Sequence, residues 1–411
     1  PSNCSTTTNP EACLESNVDE DFDTYENCDD NDCTDSFTAV CVDPQGTTSN
    51  TQPSFIGNLP NIVGLACGGM HTCSLDASGG VDCWGYNANS QASVPSAISN
   101  TSVNWLTAGA EHTCATAEDS NGDEKVVCWG DNSLNQSGTS CLNGLCEGWD
   151  PQGTSIMDIT AGYYHSCAID DGGTIECWGD NTHGQTDKDG AESAAAGNGA
   201  NGLESITAGG YHTCGLDDLG YLHCWGRNDF NQVGDYSTGQ GPNGSNSTTY
   251  SFVAAGELHT CALKTNGYLD CWGEGTLGQT NYPTRNTNYT DGNGETYTIN
   301  SFSTAADTLT ASGHHTCVKA NITLPSISMD VDTVVCWGWD SDDQVVDAPA
   351  TTSGTSGDST PAYMQSSTPG AVCSGARHNC IYYNSGDLEC FGDNCQGQAC
   401  TTSTCSTGTC N

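Results

Sequence analysis

Apolar and polar residues are mixed in short runs along this chain, with Gly-containing turns between them, and one such run recurs seven times. The copies read CGGMHTCSL, AGAEHTCAT, AGYYHSCAI, AGGYHTCGL, AGELHTCAL, SGHHTCVK and SGARHNCIY, with histidines at His71, His112, His165, His212, His259, His315 and His378. A second run follows each: VDCWGYN, VVCWGDN, IECWGDN, LHCWGRN, LDCWGEG, VVCWGWD and LECFGDN, in which Phe391 replaces the tryptophan of the other copies. Six residues past each glycine stands Gln91, Gln136, Gln185, Gln232, Gln279, Gln344 or Gln398. Three landmarks repeated in fixed order predict a repeat architecture in place of separate domains.

The two runs of a copy read as the strands of a β-hairpin, because turn sequences such as DASGG, DDGG and KTNG lie between them. Their cysteines are ten residues apart in five copies, and an even separation across a hairpin puts both on one sheet face, opposite one another. The expected bridges are Cys73 to Cys83, Cys114 to Cys128, Cys167 to Cys177, Cys214 to Cys224, Cys261 to Cys271, Cys317 to Cys336, and Cys380 to Cys390. The second and sixth copies are longer, and their extra residues, SNGDEK and NITLPSISMDVDT, fall at the hairpin tip, where insertions are tolerated. Cys141 and Cys146 are expected to close the loop CLNGLC. Cys67 and Cys373 precede the histidine run of the first and last copies, so a bridge between them would lock a closed ring.

These runs resemble the repeats of the regulator of chromosome condensation family over residues 60 to 398. The resemblance implies an all-β fold, a seven-bladed β-propeller, with the histidine as a hydrogen-bonding strut. With the cysteines added, the expectation is one intra-blade hairpin disulfide per blade and Cys-rich N- and C-terminal tails. Residues 1–45 form an acidic Cys-rich segment, 46–398 the propeller and 399–411 a Cys-containing tail. The family's nucleotide exchange on a small GTPase and its residence on chromatin do not carry over, since no exchange residue matches a position here. The paired cysteines are more like those of secreted relatives, some of which bind proteins.

Composition narrows the setting. The 27 cysteines point to an oxidising compartment, so the chain is placed outside the cell or at its surface, with any signal peptide removed before Pro1. The net charge of -44 arises because Lys and Arg together number only seven. Phosphate neutralisation needs clustered bases, so nucleic-acid partners are excluded. No apolar run approaches the roughly 20 residues of a membrane helix, so membrane insertion is not expected.

Candidate chemistry is sparse. One histidine and two cysteines per copy invite a zinc reading, but disulfides consume the thiolates zinc needs. The histidines form a structural set, His183, His223 and His314 carry no motif, and no GxSxG, P-loop or HExxH sequence appears; neither an enzyme nor a cofactor is expected. The acidic run near the start places Asp19, Asp21, Asp23 and Asp30 at positions 1, 3, 5 and 12 of a calcium loop, with Thr24 where such a loop wants glycine. Glycosylation candidates are Asn3, Asn100, Asn135, Asn243, Asn246, Asn288 and Asn321. The odd cysteine total leaves at least one thiol free or intermolecular. From these features the expected function is a non-enzymatic structural subunit of an extracellular filament or surface assembly, joined to its own copies through the tails. The alternative is a secreted module that binds or inhibits another extracellular protein.

Overall fold

The computed structural model describes residues 62–98, 102–118, 124–142, 145–151, 154–188, 202–234, 248–290, 296–304, 308–324, 329–339 and 368–392. Within them lie seven antiparallel sheets and no helix. The first blade is β1 (Ile62–Cys67), β2 (His71–Asp76) and β3 (Val81–Gly85); the second holds β4 (Leu106–Ala108), β5 (His112–Glu118) and β6 (Glu124–Gly130), extended by the hairpin of β7 (Ser140–Leu142) and β8 (Leu145–Trp149). Next come β9 (Ile156–Ala161), β10 (His165–Asp170) and β11 (Ile175–Gly179), then β12 (Leu203–Ala208), β13 (His212–Asp217) and β14 (Leu222–Gly226), then β15 (Tyr250–Ala255), β16 (His259–Lys264) and β17 (Leu269–Gly273). The sixth blade comprises β18 (Asn288–Thr290), β19 (Thr296–Phe302), β20 (Leu309–Ser312), β21 (His315–Leu324) and β22 (Met329–Gly338); the seventh is β23 (Pro369–Ser374), β24 (His378–Tyr383) and β25 (Leu388–Gly392).

Each blade runs inner strand, His-x-Cys strand, then Cys-Trp-Gly strand, with Cys-Phe-Gly in the seventh. The last two form the expected hairpin, in a register that sets the histidine opposite the glycine and cysteine opposite cysteine, as in His212↔Gly226 and Cys214↔Cys224. The inner strand of every blade lines a central cavity of about 260 Å³, and β1 packs against β23 to close the circle.

The glycine after each tryptophan has φ near +100°, from +100° at Gly85 to +115° at Gly338, a region in which a Cβ is strained. A Cβ on Gly226 would also lie 2.7 Å from the His212 Cα and 2.8 Å from the Tyr211 carbonyl. Closer to the axis, a Cβ on Gly109 would lie 2.4 Å from the Gly162 carbonyl of the next blade. Small residues therefore let neighbouring blades touch backbone to backbone around the cavity.

The sixth-blade insertion differs from the expected loop. It continues the ladder, so that β21 and β22 pair from His315↔Gly338 out to Leu324↔Met329, and β19 pairs with the added half of β21. Its alternating residues Ala320, Ile322 and Leu324 are buried with Tyr297, Ile299 and Phe302, which supplies the apolar face that keeps the extra sequence in strands.

The core is thin and lies between blades. Each hairpin cystine packs on the aromatic residue of the next blade: Cys114 and Cys128 with Trp178, Cys167 and Cys177 with Trp225, Cys214 and Cys224 with Trp272, Cys317 and Cys336 with Phe391. Around the seam, Cys380 and Cys390 pack on Trp84. Sulfur against an aromatic ring is favourable by about 0.3 to 1.5 kcal/mol, so the bridges join strands within a blade and fill the space between blades.

Candidate binding face

Two interblade networks fix the geometry on which any site must stand. In the first, His71, His112, His165, His212, His259 and His378 place Nε2 2.7 to 2.8 Å from the hydroxyl of Thr113, Ser166, Thr213, Thr260, Thr316 and Thr72, each on the adjoining blade. His315 meets the Asn379 Oδ1 at 3.0 Å. The hydroxyls of Thr113, Ser166, Thr213 and Thr260 give their own proton to the backbone carbonyls of Gln91, Gln136, Gln185 and Gln232. They must therefore accept from the imidazole, which sets the Nε2–H tautomer. Trp129, Trp178, Trp272 and Trp337 donate Nε1–H to the carbonyls of Gln91, Gln136, Gln232 and Gln279. The carbonyls of Gln91, Gln136, Gln185, Gln232 and Gln279 are thus acceptors for the following blade.

All seven imidazoles are wholly buried. Burial pushes His71, His112, His212 and His378 down to about 3, His165 and His315 to about 4, and His259 well below its ordinary value. These histidines are neutral struts without access to solvent. The group Cys67, His378 and Cys380 has the closeness of a metal site, but both sulfurs belong to cystines and offer no thiolate.

The second network joins inner strands. The hydroxyls of Thr107, Thr160, Thr207 and Thr310 accept from the backbone N–H of Ala161, Ala208, Ala255 and Ser374 in the next blade. These threonines stand five residues before their blade's histidine, and the N–H groups four before theirs. At the seam between the last and first blades the same two positions are Cys373 and Cys67, which form a disulfide spanning 306 residues. A covalent bond replaces a hydrogen bond where the chain itself does not connect the blades.

The other bridges are Cys73–Cys83, Cys114–Cys128, Cys141–Cys146, Cys167–Cys177, Cys214–Cys224, Cys261–Cys271, Cys317–Cys336 and Cys380–Cys390. The remaining nine cysteines, the calcium candidates Asp19, Asp21, Asp23 and Asp30, and Asn3, Asn100, Asn243 and Asn246 lie outside the described residues. Asn135 is exposed at φ +62°, Asn288 is exposed on β18, and Asn321 on β21 is half-buried with Nδ2 donating to Asp332.

Because histidine pairs with glycine, the turn before each histidine and the loop after each Trp-Gly emerge on one face of the ring. A backbone bond clamps them together: the N–H of Tyr86, Asp131, Asp180, Arg227, Glu274 and Trp339 donates to the carbonyl of Met70, Glu111, Tyr164, Tyr211, Leu258 and His314. Six pairs of side chains are thereby held around the cavity mouth by a main-chain bond, and the carboxylates of Asp131, Asp180 and Glu274 also accept from the Gln136, Gln185 and Gln279 amides of their own loops. Their sequence varies, and they carry the chemistry that the repeat motif does not.

On this face Tyr163, Tyr164 and Tyr211 form a triangle with ring centroids 6.0 to 6.3 Å apart. The His183 ring meets Tyr211 edge-on at 5.7 Å, and the Arg227 guanidinium lies over Tyr211 at 5.5 Å and Phe230 at 5.9 Å. Tyr163 donates its hydroxyl to Glu257 at 3.1 Å, and His314 places Nε2 3.5 Å from the same carboxylate while its ring meets Trp339. Burial, then Glu257 and Tyr164 beside it, hold the Tyr211 phenol up at about 12. Farther out, Leu134, Phe230 and Leu277 occupy equivalent loop positions two before the glutamine and are exposed by 40 to 44%. His183 and His314 therefore belong to this aromatic face, whereas His223 is buried at the opposite end with Nε2 2.9 Å from Asp217.

The family model described as the regulator of chromosome condensation (RCC1) repeat matches residues 62–91, 156–185, 204–232 and 251–279. The copies outside these matches are the two with lengthened hairpins and the one bearing Phe391. The ultraviolet-B receptor UVR8 of Arabidopsis thaliana is 27% identical over 135 residues, 29% of this chain and 30% of that protein, so the match spans under a third of the curated relative. In three dimensions the chain is similar to the ectodomain of the receptor kinase CR4 of Physcomitrella patens, at TM-score 0.50 and 21% identity over 81% of this chain and 74% of that one. The Crinkly ectodomain of the Arabidopsis thaliana receptor kinase ACR4 matches at 0.50 and 18%, over 81% and 98%. Yeast RCC1 (Prp20), in its complex with Kap60, matches at 0.51 and 20%, over 77% and 78%. At such identities the likeness is one of fold.

Proposed function

From the premise that the chain is a β-propeller of the RCC1-repeat family, we propose that it is a non-enzymatic extracellular recognition module. A partner protein would be held on the ring face that carries Tyr163, Tyr164, Tyr211, Arg227 and Phe230. The observation that carries this reading is the aromatic cluster itself. Its side chains are not needed to close the ring, because main-chain bonds set the turns beneath them. Large aromatic and arginine side chains on a rigid scaffold are the residues that dominate protein–protein binding energy. The extracellular setting is supported by nine disulfides among the described residues and by the likeness to two receptor-kinase ectodomains. Absence of catalysis is supported by the role of the seven repeat histidines, which are buried, neutral and spent on interblade bonds. Assembly into filaments through the terminal tails rests on residues 1–45 and 399–411, which lie outside the described residues.

The test is capture of a native extracellular partner by immobilised protein, compared between wild type, the face variant Tyr164→Ala/Phe230→Ala, and Leu219→Ala at a hairpin tip of the opposite face. A partner retained by wild type and Leu219→Ala but lost by the face variant supports the reading. Retention by all three refutes it. Multimers on non-reducing electrophoresis that collapse on reduction favour the assembly reading instead.

A further inference from the structure

We infer that the partner segment received by this face is cationic: a polypeptide stretch presenting Arg or Lys side chains to the ring formed by Tyr163, Tyr164 and Tyr211 and its bordering carboxylates. The inference rests on the recognition reading above and names the chemistry of the partner.

Three observations carry it. The first is charge. The clamped turns and loops of this face carry Glu111, Asp131, Asp180, Asp229, Glu257 and Glu274 against the arginines Arg227 and Arg377, in a chain of net charge -44. An anionic partner would be repelled by the whole molecule, and a cationic one steered towards it. The second is the behaviour of the chain's own cations. All three arginines lie over aromatic rings: Arg227 over Tyr211 and Phe230, Arg377 over Trp339 at 5.1 Å, and Arg285 over Tyr268 at 5.2 Å. The rings of this face thus already take a guanidinium in two places. The third is the vicinity of Tyr164, which abuts Tyr163 and Tyr211, accepts the backbone N–H of Asp180 at its carbonyl, and among the described residues has no arginine stacked on it. An aromatic face edged by carboxylates attracts a cation through both the ring quadrupole and the ion pair.

Position also favours the inference. The tyrosines border the cavity mouth, where Tyr163 is itself a lining residue, so an extended segment crossing the ring there would meet Glu257, which Tyr163 bonds, and Asp180, which lies beside Tyr211. Lysine and arginine differ here: the planar guanidinium stacks on rings as well as pairing with carboxylates, so arginine should bind more tightly.

The test uses the whole disulfide-bonded protein and fluorescent nona-arginine, nona-lysine and Gly-Ser peptides at physiological salt, with anisotropy as the readout. The proteins are wild type, Tyr163→Ala/Tyr164→Ala, Glu257→Gln, and Asp171→Asn on the opposite face, each checked for an unchanged melting temperature. Nona-arginine is expected to bind more tightly than nona-lysine, and Gly-Ser not at all. The tyrosine pair should be worth about 5- to 30-fold, from about 0.5 to 1 kcal/mol per exposed cation–π contact. Glu257→Gln should weaken binding and Asp171→Asn should leave it unchanged. Equal weakening by Glu257→Gln and Asp171→Asn with no effect of the tyrosines would reveal diffuse attraction to a polyanion and overturn the inference. If the face variant loses the captured partner while the peptides show no preference for the face, the recognition reading stands and its cationic chemistry falls. If the partner is retained as well, both fall.

Discussion

Removing the seam bridge by Cys67→Ala/Cys373→Ala isolates the contribution of ring closure. In the chain-entropy model a cross-link stabilises by about 2.1 + 1.5R ln n in entropy units, with n the residues enclosed. The Cys67–Cys373 bridge spans 306 residues and is worth about 6 kcal/mol on this scale. Cys214–Cys224 spans ten and is worth about 3 kcal/mol. Both sulfur pairs are largely shielded from solvent, so losses from vacated volume are similar and the difference isolates loop length. Urea unfolding of Cys67→Ala/Cys373→Ala and Cys214→Ala/Cys224→Ala, with all other bridges intact, should give a destabilisation about twice as large for the seam variant. Equal losses would mean that residual contacts already hold the ends of the unfolded chain near one another, and the entropic account would fail.

The histidine struts predict an acid limit. Each has a folded pKa held below its unfolded value near 6.5, so the unfolded chain binds protons first as pH drops. Stability is complete above pH 6.5 and is lost between there and about pH 3 to 4, by about 1.4 kcal/mol per histidine per pH unit; repeat imidazoles titrating near 6.5 by NMR in the folded protein would contradict this. Thr260→Val keeps shape but leaves the buried His212 Nε2–H without its acceptor, which should cost about 1 to 3 kcal/mol and show as a lowered melting temperature. Gly226→Ala and Gly386→Ala both strain a positive φ, but only Gly226 meets backbone within 2.8 Å while Gly386 has open space. Gly226→Ala should therefore be the more damaging by several degrees of melting temperature, and equal effects would refute the steric argument.

The hairpins and their bridges were legible because cysteine, glycine and tryptophan recur at fixed spacing, and even separation fixes facing pairs. The seam bridge was legible because Cys67 and Cys373 stand just before the histidine run of the first and last copies. The inner strands carried a weaker signal. Their pairing with the histidine strand shifts register at Ile62/Gly64, Leu203/Ser205, Tyr250/Phe252 and Pro369/Ala371, and a bulge breaks the two-residue alternation by which a half-buried strand is recognised. The lengthened sixth hairpin reads as a loop tip in the sequence because its partner, β19, comes from an interblade segment that no repeat motif marks. The binding face was invisible to motif reasoning for the opposite reason. Tyr163, Tyr164, Tyr211 and Arg227 occupy the variable positions of the repeat, and only the clamp between Arg227 and Tyr211 and its equivalents brings them together.

That clamp separates two kinds of inheritance. Since it is made by peptide groups, outward side chains such as Tyr164 and Tyr211 are exempt from the demands that hold glycine, histidine, cysteine and tryptophan in place, whereas Asp131, Asp180 and Glu274 also bond their own loops. Rewriting these rim tyrosines would alter the chemistry of the face without disturbing how the wheel is built.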